Sequence, residues 1–574
     1  MTASPITLAA IALVAVLTVG VGAYGVRLAR TTSDFLVASR TVGPRTNAAA
    51  ISGEYLSAAS FLGVAGLVAK YGADALWYPV GFTAGYLALL LFVAAPLRRS
   101  GAYTIPDFAE FRLGSTRLRR LATLVVVLIG WLYLVPQLQG AGLTLRILTG
   151  APSWLGALAV GVVVVANVAG GGMRSITFVQ AFQYWLKLTA IGVPAIVLAL
   201  HVANDHRPLG APAPPTVTAE TTVDVTTDVV LDVARPLSVR LDGVPTQLSA
   251  GEHELRAGTV LTLAAGSDVP VVAGVPTTDS AWLLPSGGLG GPHPLFETYS
   301  LILATFLGTM GLPHVLVRFY TNADGRAARR TTLVVLALLG VFYLFPTVLG
   351  VLSRLYVPQL LVTGTTDAAV LLLPGALLSG LGGQLLAALV AAGAVAAFLS
   401  TSSGLVVSVA GVLSTDVLRG RVRDFRMAAL LAGAVPVALT LALVRLDLSQ
   451  TVGLAFAVAA STFCPLLALG IWWRRLTAPG AAAGLVVGGT LAVAAVVAST
   501  LDVGAADVGA AGWLRSLISQ PAAVSVPAAF LTMIVVSLAT QGSAPADVGR
   551  RLLRMHAPER LGLGVDRDVE RWGR

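Results

Sequence analysis

Residues 50–67 read "AISGEYLSAASFLGVAGL", from Ala50 to Leu67. The stretch is apolar enough to cross a bilayer, yet it holds a carboxylate (Glu54), a phenol (Tyr55), three serines and three glycines. Polar groups inside hydrocarbon are costly and mark ion or substrate paths. Two facts therefore need explaining together: why this stretch is in a membrane, and what its polar groups handle.

The rest of the chain answers the first. Of 574 residues, 56% are hydrophobic and only 11% charged, with a mean hydropathy of +0.82. A soluble protein would carry about twice that charge. Apolar runs long enough to span recur throughout, whereas a β-barrel would show alternating segments of about ten residues. The fold class is thus all-α and polytopic, with thirteen expected spans: 6–26, 46–69, 76–96, 121–145, 154–172, 178–203, 299–317, 331–353, 381–413, 427–444, 451–471, 481–500 and 524–541. The first is read as a span and not a signal peptide, because "MTASPITL" has no basic n-region and Arg27 and Arg30 follow the apolar run.

Thirteen crossings from an outside N-terminus place 28 of the 38 basic residues on the cytoplasmic side, in agreement with the positive-inside bias. The net charge of +10 then reflects orientation and contact with anionic lipid, and nucleic-acid binding is not required by it. The expected location is the plasma membrane, with four segments: spans one to six (1–203), an extracellular insert (204–297), spans seven to thirteen (298–541) and a cytoplasmic tail (542–574). The insert alternates Val or Leu with Thr and Asp ("TAETTVDVTTDVVLDV"), the period of strands, and holds 11 acids against four arginines, the reverse of the inner loops. A small β-rich module is the expectation. The tail "VGRRLLRMHAPERLG" is basic and partly amphipathic, as a segment near headgroups is. The single cysteine, Cys464, leaves no disulfide framework and no cysteine-rich metal site.

Two spans carry breaks. The second has Gly53 beside its polar run, and the seventh, "ATFLGTMGLPHVLVRFYT", has Gly308, Gly311 and Pro313. Unwound backbone at membrane depth survives only where it lines a protein cavity, and secondary transporters use such carbonyls for cations and half-helix N-termini for anions. An ordinary proline kink is the other reading of either segment alone, but the breaks fall five spans apart, as an inverted 5+5 repeat requires. The ninth span clusters Ser400, Thr401, Ser402 and Ser403. Such hydroxyls either bond back to the preceding turn or coordinate a hard cation.

These residues resemble the solute:sodium symporter family, and within it the cation/acetate (monocarboxylate) symporters. The resemblance covers nearly every span and rests on "TTSDFLVASRTVGP", "GEYLSAASFLG", "YTIPDFAEFRLGS", "WLYLVPQLQGAG", "GGMRSITFVQ", "GLPHVLVRFYT" and the hydroxyl cluster. The long insert departs from the usual pattern. The resemblance implies a sodium site between spans two and nine, formed by Gly53, Leu56, Ala397, Ser400 and Thr401. It places a substrate cavity beside that site, walled by Tyr55, Ser57, Ala58, Thr305, Gly308 and Thr309, with Gln137 reaching it. His314 and Arg318 are read as gate or structural residues. Glu54 faces the cavity or bonds to another helix; Lys187 pairs with it, or mimics a cation and couples transport to protons. No cofactor is implied beyond sodium as coupling ion, and the partners are a small organic anion, sodium and lipid. The oligomeric state is not encoded legibly.

Competing functions lack their motifs. Lys70 and Lys187, the only lysines, are not preceded by Gly, so no Walker A exists; HExxH and GxSxG are absent, and "GEHEL" lacks a second His. A receptor on a transporter scaffold would need a signalling domain, and none is evident.

Overall fold

The computed structural model describes residues 4–28, 32–40, 42–205, 209–285, 289–418, 421–442, 448–501, 512–558 and 561. The expectations for Arg30, Arg207, Arg419, residues 443 and 444 of the tenth span, and the tail from 559 onward apart from Leu561 lie outside them.

The long helices are α1 (Pro5–Leu28), α2 (Pro44–Tyr55), α3 (Val64–Tyr71), α4 (Trp77–Ala88), α5 (Thr116–Thr149), α6 (Ser153–His201), α7 (Pro294–Gly311), α8 (Pro313–Val317), α9 (Gly325–Tyr356), α10 (Gly380–Val412), α11 (Val422–Ala442), α12 (Leu448–Trp472), α13 (Ala478–Thr500), α14 (Ala522–Ala539) and α15 (Val548–His556); shorter helices between them are named by residue. Among the described residues, eleven helical stretches are long and apolar enough to cross a membrane. The two longest of the eleven exceed one crossing by the widest margin. Ala59–Arg99 has 41 residues and Ser153–His201 has 49, about 60 and 70 Å at ~1.5 Å per residue, against a hydrocarbon core of about 30 Å. Each is interrupted by a glycine in backbone geometry that L side chains avoid: Gly72 (φ 60°, ψ −124°) and Gly172 (φ 55°, ψ −154°). Spans five and six, expected as separate runs, are therefore joined through one sharp kink with no loop between them.

The second span breaks where polar residues were expected to break it, between Tyr55 and Ala59, and resumes as a π-helical turn at Ala59–Gly63 before α3. The seventh differs from expectation. Gly308 and Gly311 stay helical, and the chain leaves the helix only at Leu312 (φ −71°, ψ 116°). Pro313 then opens α8, where its missing N–H costs nothing. The glycines serve packing instead: a Cβ on Gly308 would stand 2.5 Å from the Phe456 carbonyl oxygen, and one on Gly311 would overlap that of Ala459. They let α7 lie directly on α12.

One continuous apolar core runs through the bundle, with α6 at its centre against α1, α2, α5 and α10. The segment between α6 and α7 holds seven short antiparallel strands, Thr221–Asp224 (β1), Val229–Val233 (β2), Leu237–Leu241 (β3), Val244–Leu248 (β4), Gly251–Leu255 (β5), Val260–Leu263 (β6) and Val271–Val272 (β7). They form sheets of order β1-β6-β3-β4 and β5-β2-β7 around their own small core. Asp242 and Gly243, both at positive φ, form the two-residue turn between β3 and β4. The unit is bolted to the bundle: Trp282 Nε1 donates to the Val68 carbonyl at 2.7 Å, and the buried Arg354 holds Asp279 at 3.0 Å. At the other end, Arg98 Nε donates to Asn322 O at 2.6 Å and Arg112 Nε to Gly470 O at 2.7 Å, while Arg119 joins Glu110 to Asp416 and Arg551 of α15 reaches Phe111 O. The arginine-rich loops thus close one end of the bundle.

Candidate functional site

A regular helix through residues 53–60 would bond the carbonyls of Gly53, Glu54 and Leu56 to the N–H groups four residues on. The break takes those donors away. Ser57 N donates to Tyr55 O at 2.8 Å and Ala58 N to the Gln137 side chain at 3.1 Å. A buried carbonyl without a partner is rare, and each of these three finds one on a neighbouring helix. Ser400 Oγ donates to Gly53 O at 2.7 Å and Thr401 Oγ1 to Glu54 O at 2.6 Å, both from α10. Ser400 Oγ also lies 3.2 Å from Ala397 O. Gly53, Leu56, Ala397, Ser400 and Thr401 therefore meet around the break, a cluster of carbonyl and hydroxyl oxygens suited to a hard monovalent cation.

The remaining partner is a lysine. Lys187, fully buried on α6, donates from Nζ to Gly53 O, to Leu56 O at 2.7 Å and to Ser400 Oγ at 2.8 Å. Three of the five residues assigned to sodium hold this ammonium. A charged Nζ and a second cation ~4 Å away would repel by about 4 kcal/mol even at an effective dielectric of 20, so the two compete for the same oxygens. The pairing of Lys187 with Glu54 is not formed. Glu54 is taken by Arg318, whose Nε donates to Oε2 at 2.6 Å with both side chains buried. The same guanidinium reaches Thr177 Oγ1 at 2.8 Å and Gln180 Oε1, and Gln180 Nε2 donates to Ser400 O at 2.7 Å. Arg318 thus welds α2 to α6 directly beside the cage. Its planar fork holds Glu54, Thr177 and Gln180 together, while the Lys187 Nζ is engaged by Gly53, Leu56 and Ser400.

The expected substrate wall is partly assembled. Tyr55 OH shares a 2.8 Å hydrogen bond with Thr309 Oγ1, and Ala58 meets Gln137, while Ser57 lies by Tyr133. Thr305 stands apart: its hydroxyl donates back to Leu301 O at 2.8 Å and lies against Gly81 of α4. Gly308 offers no free backbone donor, since it lies inside α7. His314 is fully buried, its ring 5.2 Å from that of Tyr133.

Residue-by-residue reading missed the aromatic enclosure around Tyr55. Its ring meets Tyr86 at 4.7 Å, Phe82 at 6.0 Å and Phe456 at 6.2 Å, and Phe456 meets Tyr133 at 5.9 Å. Beside these residues, Gln137 Nε2, Tyr86 OH and both His314 nitrogens are buried without a protein partner. Buried polar groups are normally paired, so these are available to a ligand. Gln180 was also missed, although it ends the "GGMRSITFVQ" motif seven residues, two helical turns, before Lys187.

Residues 35–229 and 278–488 match the Sodium:solute symporter family, well over half of the chain. The chain is 29% identical over 521 residues to an uncharacterized symporter, YwcA, of Bacillus subtilis (88% of this chain, 89% of that protein). It is 28% identical over 567 residues to a monocarboxylic acid transporter of Corynebacterium glutamicum (95% and 93%). In fold it is similar to a Na+-coupled sialic acid symporter in a substrate-bound outward-open state (TM-score 0.60, 15% identity, 93% of this chain and 98% of that one). A nucleobase-cation-symport-1 family transporter in a closed conformation is also similar (TM-score 0.51, 14% identity, 91% and 98%). This multi-pass chain is a transporter and not an enzyme, and it belongs to the sodium:solute symporter family.

Proposed function

We propose that the chain is a secondary active symporter that imports a short-chain monocarboxylate such as acetate, driven by a monovalent cation gradient. One observation carries the substrate class: the polar groups of Gln137, Tyr86 and His314 are buried without a protein partner, Tyr86 beside Tyr55, His314 beside Tyr133 and Gln137 bonded to Ala58 next to the break. They suit one carboxylate on a small apolar body and offer no ring of hydroxyl readers for a sugar. The relative named a monocarboxylic acid transporter supports the same class. Sodium is the ion that the family's name and the all-oxygen cage support. The proton is the second reading, and Lys187 Nζ standing in the cage favours it.

The proposed topology has thirteen crossings, because dividing the two overlong stretches at Gly72 and Gly172 adds two to the eleven. The N-terminus and the 204–297 insert are outside, with the arginine-rich end and the 542–574 tail in the cytoplasm of a plasma-membrane protein. The breaks in the second and seventh spans support an inverted 5+5 repeat. Labelling Gln247→Cys, with Cys464 replaced, by an impermeant thiol reagent on intact cells checks the orientation; labelling only after lysis would reverse it. Competition tests the substrate: acetate, propionate and pyruvate should displace labelled acetate from uptake, and glucose and proline should not. Displacement by proline alone would move the chain to an amino-acid or other organic-solute symporter.

A further inference from the structure

We propose that the groove between α4, α7, α12 and α14 is a binding site for an anionic phospholipid of the inner leaflet, with an acyl chain in the groove and the phosphate on Arg474 and Arg475. The groove encloses about 550 Å3, within the ~300–1,000 Å3 of ligand sites. Phe92, Met310, Ala468, Trp472, Trp473 and Phe530 line it, and no charged or hydroxyl side chain does. A carboxylate would find no partner inside it, whereas a hydrocarbon chain needs none. It opens on the flank of the bundle, where Phe92 and Trp472 are about half exposed. In the proposed topology all four helices run from outside to inside, and each contributes residues from its middle onward. The groove therefore lies in the cytoplasmic half of the bilayer. The inference uses that orientation and leaves the transported solute open.

The charge complement sits where the groove ends. α12 stops at Trp472, and the carbonyls there are already satisfied: Arg112 donates to Gly470 O at 2.7 Å and to Trp473 O at 3.1 Å, and the His556 ring meets Ile471 O at 2.9 Å. Arg474 and Arg475 follow directly. Both are exposed, and among the described residues neither side chain has a carboxylate or carbonyl to hold. Tryptophan prefers the level of the headgroups, so Trp472 and Trp473 put the two guanidinium groups at phosphate depth. On the cytoplasmic side, basic pockets between helices take phospholipid headgroups. Trp472 is fixed in place, its indole N–H donating to Phe92 O at 3.0 Å. That carbonyl needs an outside donor, because its α-helical partner would be Pro96, which has no N–H. The His556 ring, 4.7 Å from that of Trp472, brings α15 to the same mouth. Met310 directly follows Thr309, the partner of Tyr55, and lies just before the break at Leu312. A lipid in the groove thus bears on the helix that ends at the second break.

The test titrates the full chain, in a neutral maltoside detergent, with phosphatidylglycerol and with phosphatidylcholine of the same acyl chains, and follows the melting temperature. Phosphatidylglycerol should stabilise saturably and reach half its effect at a concentration at least about tenfold lower, the preference that two arginines give an anionic headgroup. Arg474→Gln with Arg475→Gln should abolish that preference, and the double lysine variant at the same positions should keep most of it. Ala468→Trp should fill the groove and weaken both lipids. Glycerol phosphate, a headgroup without chains, should not stabilise. Phosphatidylglycerol with brominated chains should quench tryptophan fluorescence saturably, and Trp472→Phe with Trp473→Phe should remove that saturable part. Equal titration by the two lipids, an effect of neither, stabilisation by glycerol phosphate alone, or full preference in the glutamine variant would each overturn the inference. The wild-type lipid comparison and the quenching decide even where Ala468→Trp does not fold. None of these readouts involves transport, so failure of the substrate or coupling-ion reading leaves them untouched.

Discussion

The two broken helices resolve the same problem in opposite ways. The second span breaks over Leu56–Ala58 and leaves three carbonyls to be satisfied by side chains of α6 and α10, one of them an ammonium. The seventh breaks at a single residue, Leu312, and restarts on a proline; its glycines are pressed against the backbone of α12. Positive charge gathers at the first break, and even Arg318, which follows the second, folds back to Glu54 beside the first. The difference teaches that a broken span marks an ion site when its freed carbonyls converge on polar side chains. Glycine and proline alone do not mark one.

The largest expected effect follows from the weld beside the first break. Removing one partner of a fully buried ion pair costs about 3–5 kcal/mol, so Arg318→Met should lower the melting temperature sharply in detergent, and Glu54→Gln in the same chain should restore part of the loss. A single variant as stable as wild type would show that the pair holds nothing together. Next come the hydroxyls. Replacing Ser400 and Thr401 together by alanine removes two oxygens beside a charge, each worth ~1.5–3 kcal/mol. Half-maximal uptake should then need at least about tenfold more of the driving cation, with insertion intact. An unchanged cation dependence would take the ion away from the first break.

At the second break the expectation is structural. Gly311→Ala forces a methyl into the Ala459 carbonyl, an overpacking typically worth ~1–3 kcal/mol. It should lower stability and leave the cation dependence as it is. A shift in cation dependence instead would erase the contrast between the breaks. The smallest effect is at Tyr55→Phe, which loses the hydroxyl's contacts to Thr309 Oγ1 and the Phe82 carbonyl, about 1 kcal/mol for a neutral hydrogen bond. It should raise the KM for the carboxylate a few-fold without changing the ion requirement.

Much of the first break was legible before the structure, for a physical reason. Carbonyls freed beside Gly53 need donors, and a run of hydroxyls in an apolar helix is a supply of them; the particular set Gly53, Leu56, Ala397, Ser400 and Thr401 was what the family resemblance implied. The partner of Lys187 was not legible, because the choice between Glu54 and the carbonyls depends on which helix Arg318 reaches, a tertiary distance that no spacing encodes. Gly308 was misread because a helical glycine serves either unwinding or close approach, and the neighbour that decides, Phe456, lies far off in sequence. Thr305, expected on the wall, bonds back to Leu301 O and lies against Gly81, contacts that its own span does not reveal. Tyr86 and Tyr133 come from separate elements, each unremarkable within its own span, and nothing in the spacing joins them to His314, which was read as a gate or structural residue. The turn at Asp242–Gly243 was legible in "LDGV" as a hairpin signal and went unread.

The central claim is that a cation held at the first break drives a small carboxylate uphill. Accumulation of labelled pyruvate by the purified chain in proteoliposomes tests it most directly, comparing an imposed inward cation gradient with none. The account predicts accumulation above the outside concentration only under the gradient, abolished by excess acetate. Uptake that merely equilibrates, indifferent to any cation gradient, would contradict it.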